Sequence, residues 1–145
     1  MKYAVTAATG RFGRVAVEQL VDLVGKDQVV AIVRDVAKGR ELLPAGIERL
    51  LFISSQPGGP VSRETQHLNV VAAAKEAGVS LVAYTSYLQA DQAKAPLAYY
   101  HQVTEAAIKE AGLAHAFLRD NWYLENDASF LTAGKEGQAA IYWTT

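Results

Sequence analysis

The residues with the clearest chemical potential form a turn between an apolar run and an amphipathic stretch near the start of the chain. Gly10 would let the backbone approach a pyrophosphate, and Gly13 would let the following helix pack close to a sheet. The start of that helix would present free N–H groups and the positive end of its dipole to phosphates. Ala7 stands where a G-x-x-G-x-x-G pattern has its first glycine, so the turn must accommodate a Cβ atom. The candidate cofactor-binding residues here are Thr6, Thr9, Gly10, Arg11, Phe12 and Gly13, with a plain strand-turn-helix connection as the alternative.

A second group with chemical meaning follows the next apolar run, at Arg34 and Asp35. This is about the distance downstream at which a dinucleotide-binding domain places its ribose-reading side chain. Arg34 would pair with a 2′-phosphate in a bidentate way, and Lys38 lies one helical turn further on. Asp35 can instead serve as the N-cap of the next helix, and Arg34 can be an ordinary solvated charge. The pattern favours NADP over NAD.

These groups need a scaffold, and the order of apolar and helix-period segments indicates one. Strands are predicted over residues 3–7, 29–33, 49–53, 80–85 and 114–118, and helices over 13–24, 36–43, 63–77 and 97–111. Alternation of this kind is typical of a mostly parallel sheet covered on both faces, because parallel strands need crossover helices. The predicted fold class is α/β, a Rossmann-like doubly wound parallel sheet in three layers.

Composition limits the remaining possibilities. The chain has 145 residues, enough for one domain, and a net charge of -1, which gives no electrostatic argument for a nucleic-acid partner. It contains no cysteine, which excludes disulfides and thiolate metal sites. No apolar run reaches the roughly 20 residues of a membrane-spanning helix, and the first residues do not resemble a signal peptide. We therefore expect a cytoplasmic protein with no membrane association.

Several segments together resemble a known family, the NmrA-like atypical short-chain dehydrogenases, and within it the bacterial type-two NAD(P)H quinone oxidoreductases. The matching segments are AVTAATGRFGR (4–14), VRDVAK (33–38), LLFISS (50–55), QHLNVV (66–71), AAKEAGV (73–79), AYTS (83–86), HQVTE (101–105) and LRDNWYLEN (118–126). They cover nearly the whole chain as far as Asn126, and in combination they are specific.

The resemblance implies reduction of a quinone by NADPH without flavin. It places Ile53, Ser54, Ser55, Thr85 and Ser86 along the nicotinamide half of the cofactor. It places Tyr87, His101, Trp122 and Tyr123 beside the substrate, as the candidate catalytic residues. Other roles remain open, since the two serines after the third strand could cap the next turn and Trp122 could be a core residue. A small-molecule quinone is the expected partner, and a homodimer is an open alternative to a monomer.

The chain departs from the family in two places. The family has a further strand and helix between residues 48 and 49, and it continues past residue 140 into a substrate lobe. We therefore expect one domain over residues 1–145 with most of that lobe absent. Because the long crossover is missing, the segment over residues 36–45 must itself carry the chain across the sheet. Crossovers are right-handed in nearly all cases, so the expected strand order is 2-1-3-4-5, with the cofactor crevice between strands one and three.

Proton transfer is the part of the chemistry that the sequence defines least. Tyr99 and Tyr100 are not followed by a lysine four residues later, so the Tyr-x-x-x-Lys pair of the short-chain dehydrogenases is missing. His101 and Glu105 are spaced to share one helical face, where the carboxylate could orient the imidazole or both could face solvent. No histidine spacing indicates a metal site. A non-catalytic NADP-binding sensor is the alternative to the reductase.

Overall fold

Five parallel strands form one sheet in the computed structural model, which describes residues 1–33, 43–56, 58–121, 123 and 128–137. The strands are β1 (Tyr3–Val5), β2 (Val29–Ala31), β3 (Arg49–Phe52), β4 (Leu81–Tyr87) and β5 (His115–Asp120). The helices are α1 (Arg11–Val24), α2 (Arg63–Glu76), α3 (Pro96–Glu110) and α4 (Ala128–Lys135), and a short 3-10 turn covers Lys26–Gln28. The predicted fold class is confirmed.

The position of β1 determines where a ligand can bind. Ala4 pairs with Val30 of β2 on one side and with Leu50 of β3 on the other, which gives the order β2-β1-β3-β4-β5. The predicted order is therefore confirmed, including the pairing of the third strand with the first. The chain reverses its direction along the sheet at this pair, so the carboxyl ends of β1 and β3 border the crevice in which such sheets bind ligands.

The core lies between the sheet and the α2–α3 pair. Leu50 and Phe52 of β3 alternate with half-buried neighbours, and Val82 and Tyr84 of β4 do the same. Their buried side chains pack against Val71 and Ala74 of α2 and Ile108 of α3. α1 instead contacts β1 and β2, and right-handed crossovers place it on the opposite face.

Element ends agree with the sequence in most places. Ser62 caps α2 by accepting a hydrogen bond from the N–H of Thr65, so the serines that follow β3 do not serve as this cap. β4 and β5 each extend two residues beyond their predicted ends because Ser86 and Tyr87 still pair with β5. α4 was not predicted.

Most of the predicted helix over residues 36–43 lies outside the described residues. Among the described helices none is long and apolar enough to cross a membrane.

Candidate functional site

The turn between β1 and α1 is tight and is built from backbone. Ala7 has φ of 51°, the left-handed region that a residue with a Cβ atom rarely adopts. Its carbonyl accepts a hydrogen bond of 2.9 Å from the N–H of Gly10, which closes the turn. The predicted tolerance of a Cβ atom is therefore real, and it has an energetic cost, because the left-handed conformation is unfavourable for alanine.

Gly13 lies against this turn and has no room for a side chain. A Cβ atom there would overlap the carbonyl oxygen of Ala7 and come within 2.7 Å of its carbonyl carbon. The nearest atom of Ala8 would be 3.0 Å away. These are backbone atoms, so they cannot rotate aside as a flexible side chain would. The close packing of α1 against the end of β1, predicted from the sequence, is confirmed.

The first turn of α1 is open to a ligand. Gly10 is the N-cap residue, has no side chain to bond the first N–H groups, and is followed by no acidic residue in the first turn. Thr9, Gly10, Arg11 and Phe12 are all exposed, Phe12 by 54%. Uncapped N–H groups and the helix dipole favour an anion at this position. The site fits the pyrophosphate of a dinucleotide.

Side chains tie the carboxyl ends of β1, β3 and β4 together. The Thr6 hydroxyl accepts a hydrogen bond of 2.8 Å from the N–H of Ile53 and lies 3.2 Å from the carbonyl oxygen of Ile53. The Thr85 hydroxyl accepts a hydrogen bond of 2.9 Å from the N–H of Ser54. Thr6 and Thr85 are buried, so both hydroxyls fix the shape of the crevice wall from inside.

Ser55 is the residue of this wall with unused bonding capacity. Its N–H donates to Nε2 of His67 across 3.0 Å. Its Oγ atom is buried and has no hydrogen-bond partner among the described residues. A buried hydroxyl without a partner is costly, and buried polar groups in native structures nearly always bond protein or an ordered water.

Behind this wall lies a cluster of buried polar side chains from α2, β4 and α3, which we call the inner cluster. Its members are Arg63, His67, Tyr84, His101 and Thr104, each at most 7% exposed.

The bonding partners determine which nitrogen of each imidazole carries the proton. His67 Nε2 accepts from Ser55, so its Nδ1–H donates to the Thr104 hydroxyl at 2.8 Å. That hydroxyl in turn donates to the carbonyl of Tyr100 at 2.6 Å.

His101 is fixed by a similar argument. The guanidinium of Arg63 can only donate, so Nε2 of His101 accepts from it at 3.2 Å. Nδ1–H of His101 then donates to the Tyr84 hydroxyl at 2.9 Å. Both ring nitrogens of His101 therefore have partners inside the protein, and the side chain is not placed to give a proton directly to a ligand.

Burial keeps both histidines neutral. Burial and, as a smaller cause, the charge of Arg63 together lower the pKa of His67 to about 3. The same two causes lower the pKa of His101 to about 4, against a small opposing effect of Glu105. Burial also raises the pKa of Tyr84 and lowers the pKa of Arg63. The one cation of the inner cluster is Arg63, whose Nε and Nη1 atoms are buried and have no hydrogen-bond partner among the described residues.

Glu105 belongs to a second set of contacts. Its carboxylate accepts from the Ser86 hydroxyl at 2.6 Å and from Arg119 at 3.0 and 2.8 Å. Burial alone would raise the pKa of Glu105, but the hydrogen bonds from Arg119 and Ser86 outweigh it and hold the pKa below its ordinary value. Glu105 and His101 are each 4% exposed, so the interpretation that they face solvent is wrong. The hydrogen bonds of the carboxylate go to Ser86 and Arg119 and not to the imidazole.

The remaining candidate residues lie near the same edge. The half-buried Tyr87 ends β4, with its ring centroid 5.9 Å from that of His101. Tyr123 is 54% exposed, and its hydroxyl donates to Asp120 at 3.0 Å. Arg34, Lys38 and Trp122 lie outside the described residues, so their roles remain predictions. Over the part of the chain that the structure describes, no group of three or more acidic or histidine side chains could hold a metal ion.

Sequence reasoning missed most of the inner cluster. Arg63 and His67 are four residues apart on α2, as His101 and Glu105 are on α3, and this repeated i, i+4 spacing of polar residues was the available signal. It shows which residues share a helical face. It does not show that the two faces meet over Tyr84.

Comparison with known proteins identifies relatives of this chain. No family model matches the chain. Quinone oxidoreductase 2 of Escherichia coli (strain K12) is 40% identical in an alignment of 143 positions that covers 85% of this chain and 49% of that protein.

Two solved structures of reductases are also similar to this chain. The NADP(H) complex of triphenylmethane reductase from Citrobacter sp. is 33% identical and matches with a TM-score of 0.78 over 94% of this chain and 56% of that one. The NADPH complex of the NADPH-dependent quinone oxidoreductase 2 of Escherichia coli is 37% identical, with a TM-score of 0.76 over 92% of this chain and 53% of that one. The chain thus spans about half the length of these relatives. The resemblance noted in the sequence is confirmed.

Proposed function

Because this chain is a relative of quinone oxidoreductase 2 of Escherichia coli, we propose that it is an NADPH-dependent quinone oxidoreductase that transfers hydride from the nicotinamide to a quinone without flavin. The observation that carries the proposal is the packing at Gly13, where backbone contact with Ala7 leaves an open helix start beside the β1–β3 crevice. The NADP(H) and NADPH complexes of two relatives support the choice of cofactor.

Different residues along the crevice would bind different parts of the cofactor. The N–H groups at the start of α1 would hold the pyrophosphate, and Arg34 and Lys38 would bind the 2′-phosphate. Ile53, Ser54 and Ser55 would line the nicotinamide half. There the Ser55 hydroxyl, which has no hydrogen-bond partner among the described residues, would offer a hydrogen bond. Thr85 and Ser86 would shape the wall from inside. The bound cofactor would supply a hydride.

On the substrate side, Tyr87 and Tyr123 would border the quinone together with Trp122. A quinone that accepts a hydride spreads the resulting negative charge over its ring, so hydrogen-bond donors can suffice in place of a dedicated acid. This agrees with a His101 whose two ring nitrogens are already bonded to Arg63 and Tyr84.

The test is calorimetric titration with NADPH and with NADH, followed by an assay of NADPH oxidation with a soluble benzoquinone. Arg34→Ala should weaken NADPH by about 1.5–3 kcal/mol, the value of a charge-assisted pair, and NADH much less. Equal weakening of both nucleotides would remove Arg34 from the 2′-phosphate. No binding of either nucleotide to the parent chain would overturn the proposal.

A non-catalytic NADP-binding sensor is the second candidate. The missing Tyr-x-x-x-Lys pair favours it. Tight NADPH binding without oxidation by benzoquinone would select the sensor, and turnover would exclude it.

A further inference from the structure

His67 connects the crevice wall to the interior of the protein. It is 1% exposed, and its two nitrogens bond to groups from different elements, the N–H of Ser55 after β3 and the hydroxyl of Thr104 on α3. Three consecutive hydrogen bonds all point in one direction. The Ser55 N–H donates to His67, His67 donates to the Thr104 hydroxyl, and that hydroxyl donates to the carbonyl of Tyr100. The imidazole therefore has one orientation and one tautomer.

The need for an acceptor at this position comes from the sheet. β3 ends at Phe52, so the N–H groups of the next residues have no ladder partner and must bond elsewhere. Thr6 and Thr85 satisfy those of Ile53 and Ser54. His67 satisfies that of Ser55 and does so from a helix, which links the position of the Ser55 backbone to the packing of α2 on α3.

The Ser55 side chain shows what this link controls. Its Oγ atom is buried and has no partner among the described residues, while its N–H is bonded to His67. A change in the backbone at Ser55 would move this free hydroxyl together with the rest of the residue. The start of α1, where the phosphates would bind, has no hydrogen bond to His67, whose partners are Ser55, Thr104 and Tyr84.

We propose that His67 is a positioning residue for the nicotinamide half of the cofactor: it accepts the Ser55 N–H and so sets the place of the Ser55 hydroxyl, without affecting the adenosine half. This inference rests on the proposed function. If His67 served only the stability of the fold, its loss would weaken the binding of every part of the cofactor alike or of none.

Two substitutions separate these possibilities because they retain different nitrogens of the ring. His67→Gln places an acceptor near the position of Nε2 and can still bond Ser55. His67→Asn retains a polar group near the position of Nδ1, which can bond Thr104, but does not reach Ser55. Both variants are polar and smaller than histidine, so each serves as the control for the other.

The ligands are NADPH and adenosine 2′,5′-bisphosphate, which lacks the nicotinamide half. We expect His67→Asn to weaken NADPH about tenfold, the loss of one buried hydrogen bond, and adenosine 2′,5′-bisphosphate less than twofold. His67→Gln should bind both within about threefold of the parent, because the retained acceptor still bonds the Ser55 N–H. Equal weakening of the two ligands by His67→Asn, or unchanged NADPH affinity, overturns the proposal. A parent chain that binds neither ligand overturns the proposed function instead.

A measurement without nucleotide tests the geometry even where a variant does not fold. In ¹⁵N spectra of the parent, Nε2 of His67 should be unprotonated and Nδ1 protonated, with the Ser55 amide proton coupled across the hydrogen bond to Nε2. In folded His67→Asn the amide signals of Ser54 and Ser55 should shift, and those of residues 9–13 should not. A protonated Nε2 in the parent, or equal shifts in both segments, contradicts the positioning role.

Discussion

The two sides of the crevice are built in opposite ways. The β1–α1 side is a backbone structure with exposed residues, an uncapped helix start and a glycine packed against a carbonyl. The α2–β4–α3 side is a set of buried side chains whose hydrogen bonds are almost all made within the protein. The first side offers unused donors to a ligand. The second uses most of its donors to bond other groups of the protein. Under the proposed function, ligand binding and the positioning of the crevice wall would therefore be carried by different parts of the chain.

The largest effect on NADPH affinity should come from adding a side chain at Gly13 on the β1–α1 side, which we call the open side; the α2–β4–α3 side is the buried side. Gly13→Ala should lower NADPH affinity at least about 100-fold, because the added methyl group must push α1 away from Ala7. Gly134→Ala is the matched control: its Cβ atom meets nothing within 4 Å and it lies in α4. Calorimetric titration of both folded variants measures the difference. A folded Gly13→Ala with the parent's affinity would place the pyrophosphate elsewhere.

On the buried side, Glu105→Ala should lower the free energy of unfolding by about 2–3 kcal/mol without a comparable loss of affinity. The value is below that of a fully buried pair because Arg119 can turn toward solvent. Asp91→Ala removes the exposed partner of the same arginine and should cost less than about 0.5 kcal/mol. Urea denaturation compares the two. Equal costs would mean that burial of Glu105 contributes nothing.

Acid should lower the free energy of unfolding, because the two buried histidines are neutral in the folded protein. Their folded pKa values, about 3 for His67 and about 4 for His101, lie below the unfolded value near 6.5. Below pH 6.5 the unfolded chain binds protons that the folded chain does not, so stability falls as the pH drops toward 4. Each histidine contributes up to about 1.4 kcal/mol per pH unit in this window.

The measurement is urea denaturation between pH 7 and pH 4.5 on the parent and on His67→Gln. The variant should lose roughly half of the histidine contribution to the slope. Identical slopes would show that the pKa of His67 in the folded protein is close to its unfolded value.

The smallest expected effect is a change in stability at Ala7, in the turn between β1 and α1. Ala7→Gly should raise the free energy of unfolding by about 0.5–1 kcal/mol, since the relief of a left-handed alanine exceeds the entropy lost by glycine. Gln89→Gly is the control, because Gln89 has φ of 49° in a turn away from the phosphate loop. Similar gains at both positions, with NADPH affinity unchanged for Ala7→Gly, are the expected result. A loss of stability at Ala7 alone would mean that its methyl group makes a contact worth more than the strain.

The sequence predicted the open side well because local rules govern it. The glycine spacing, the apolar strand before it and the helix after it are contiguous in the chain, so the close packing at Gly13 was predicted for the correct reason. The pyrophosphate contact at Gly10 stays a prediction. The strand order also followed, since crossover handedness leaves few alternatives once one connection is missing.

The buried side could not be predicted in the same way. The inner cluster joins Arg63, His67, Tyr84 and His101, which lie on three elements and become neighbours only through packing. Glu105 was paired with His101 by helical spacing, but the structure gives it Ser86 and Arg119, residues of two adjacent strands. Spacing identifies a shared face and not the partner that the face meets.

The position of β1 between β2 and β3 has a consequence for how the protein is made. Tyr3 pairs with Val29 and with Arg49, so β1 must wait for its second neighbour until β3 has been synthesised. Until then at least one edge of an apolar strand is unpaired, a condition that favours intermolecular pairing. We expect mutations that slow the docking of β3 to lower the yield of soluble chain more than their effect on the folded state suggests, because they lengthen this interval.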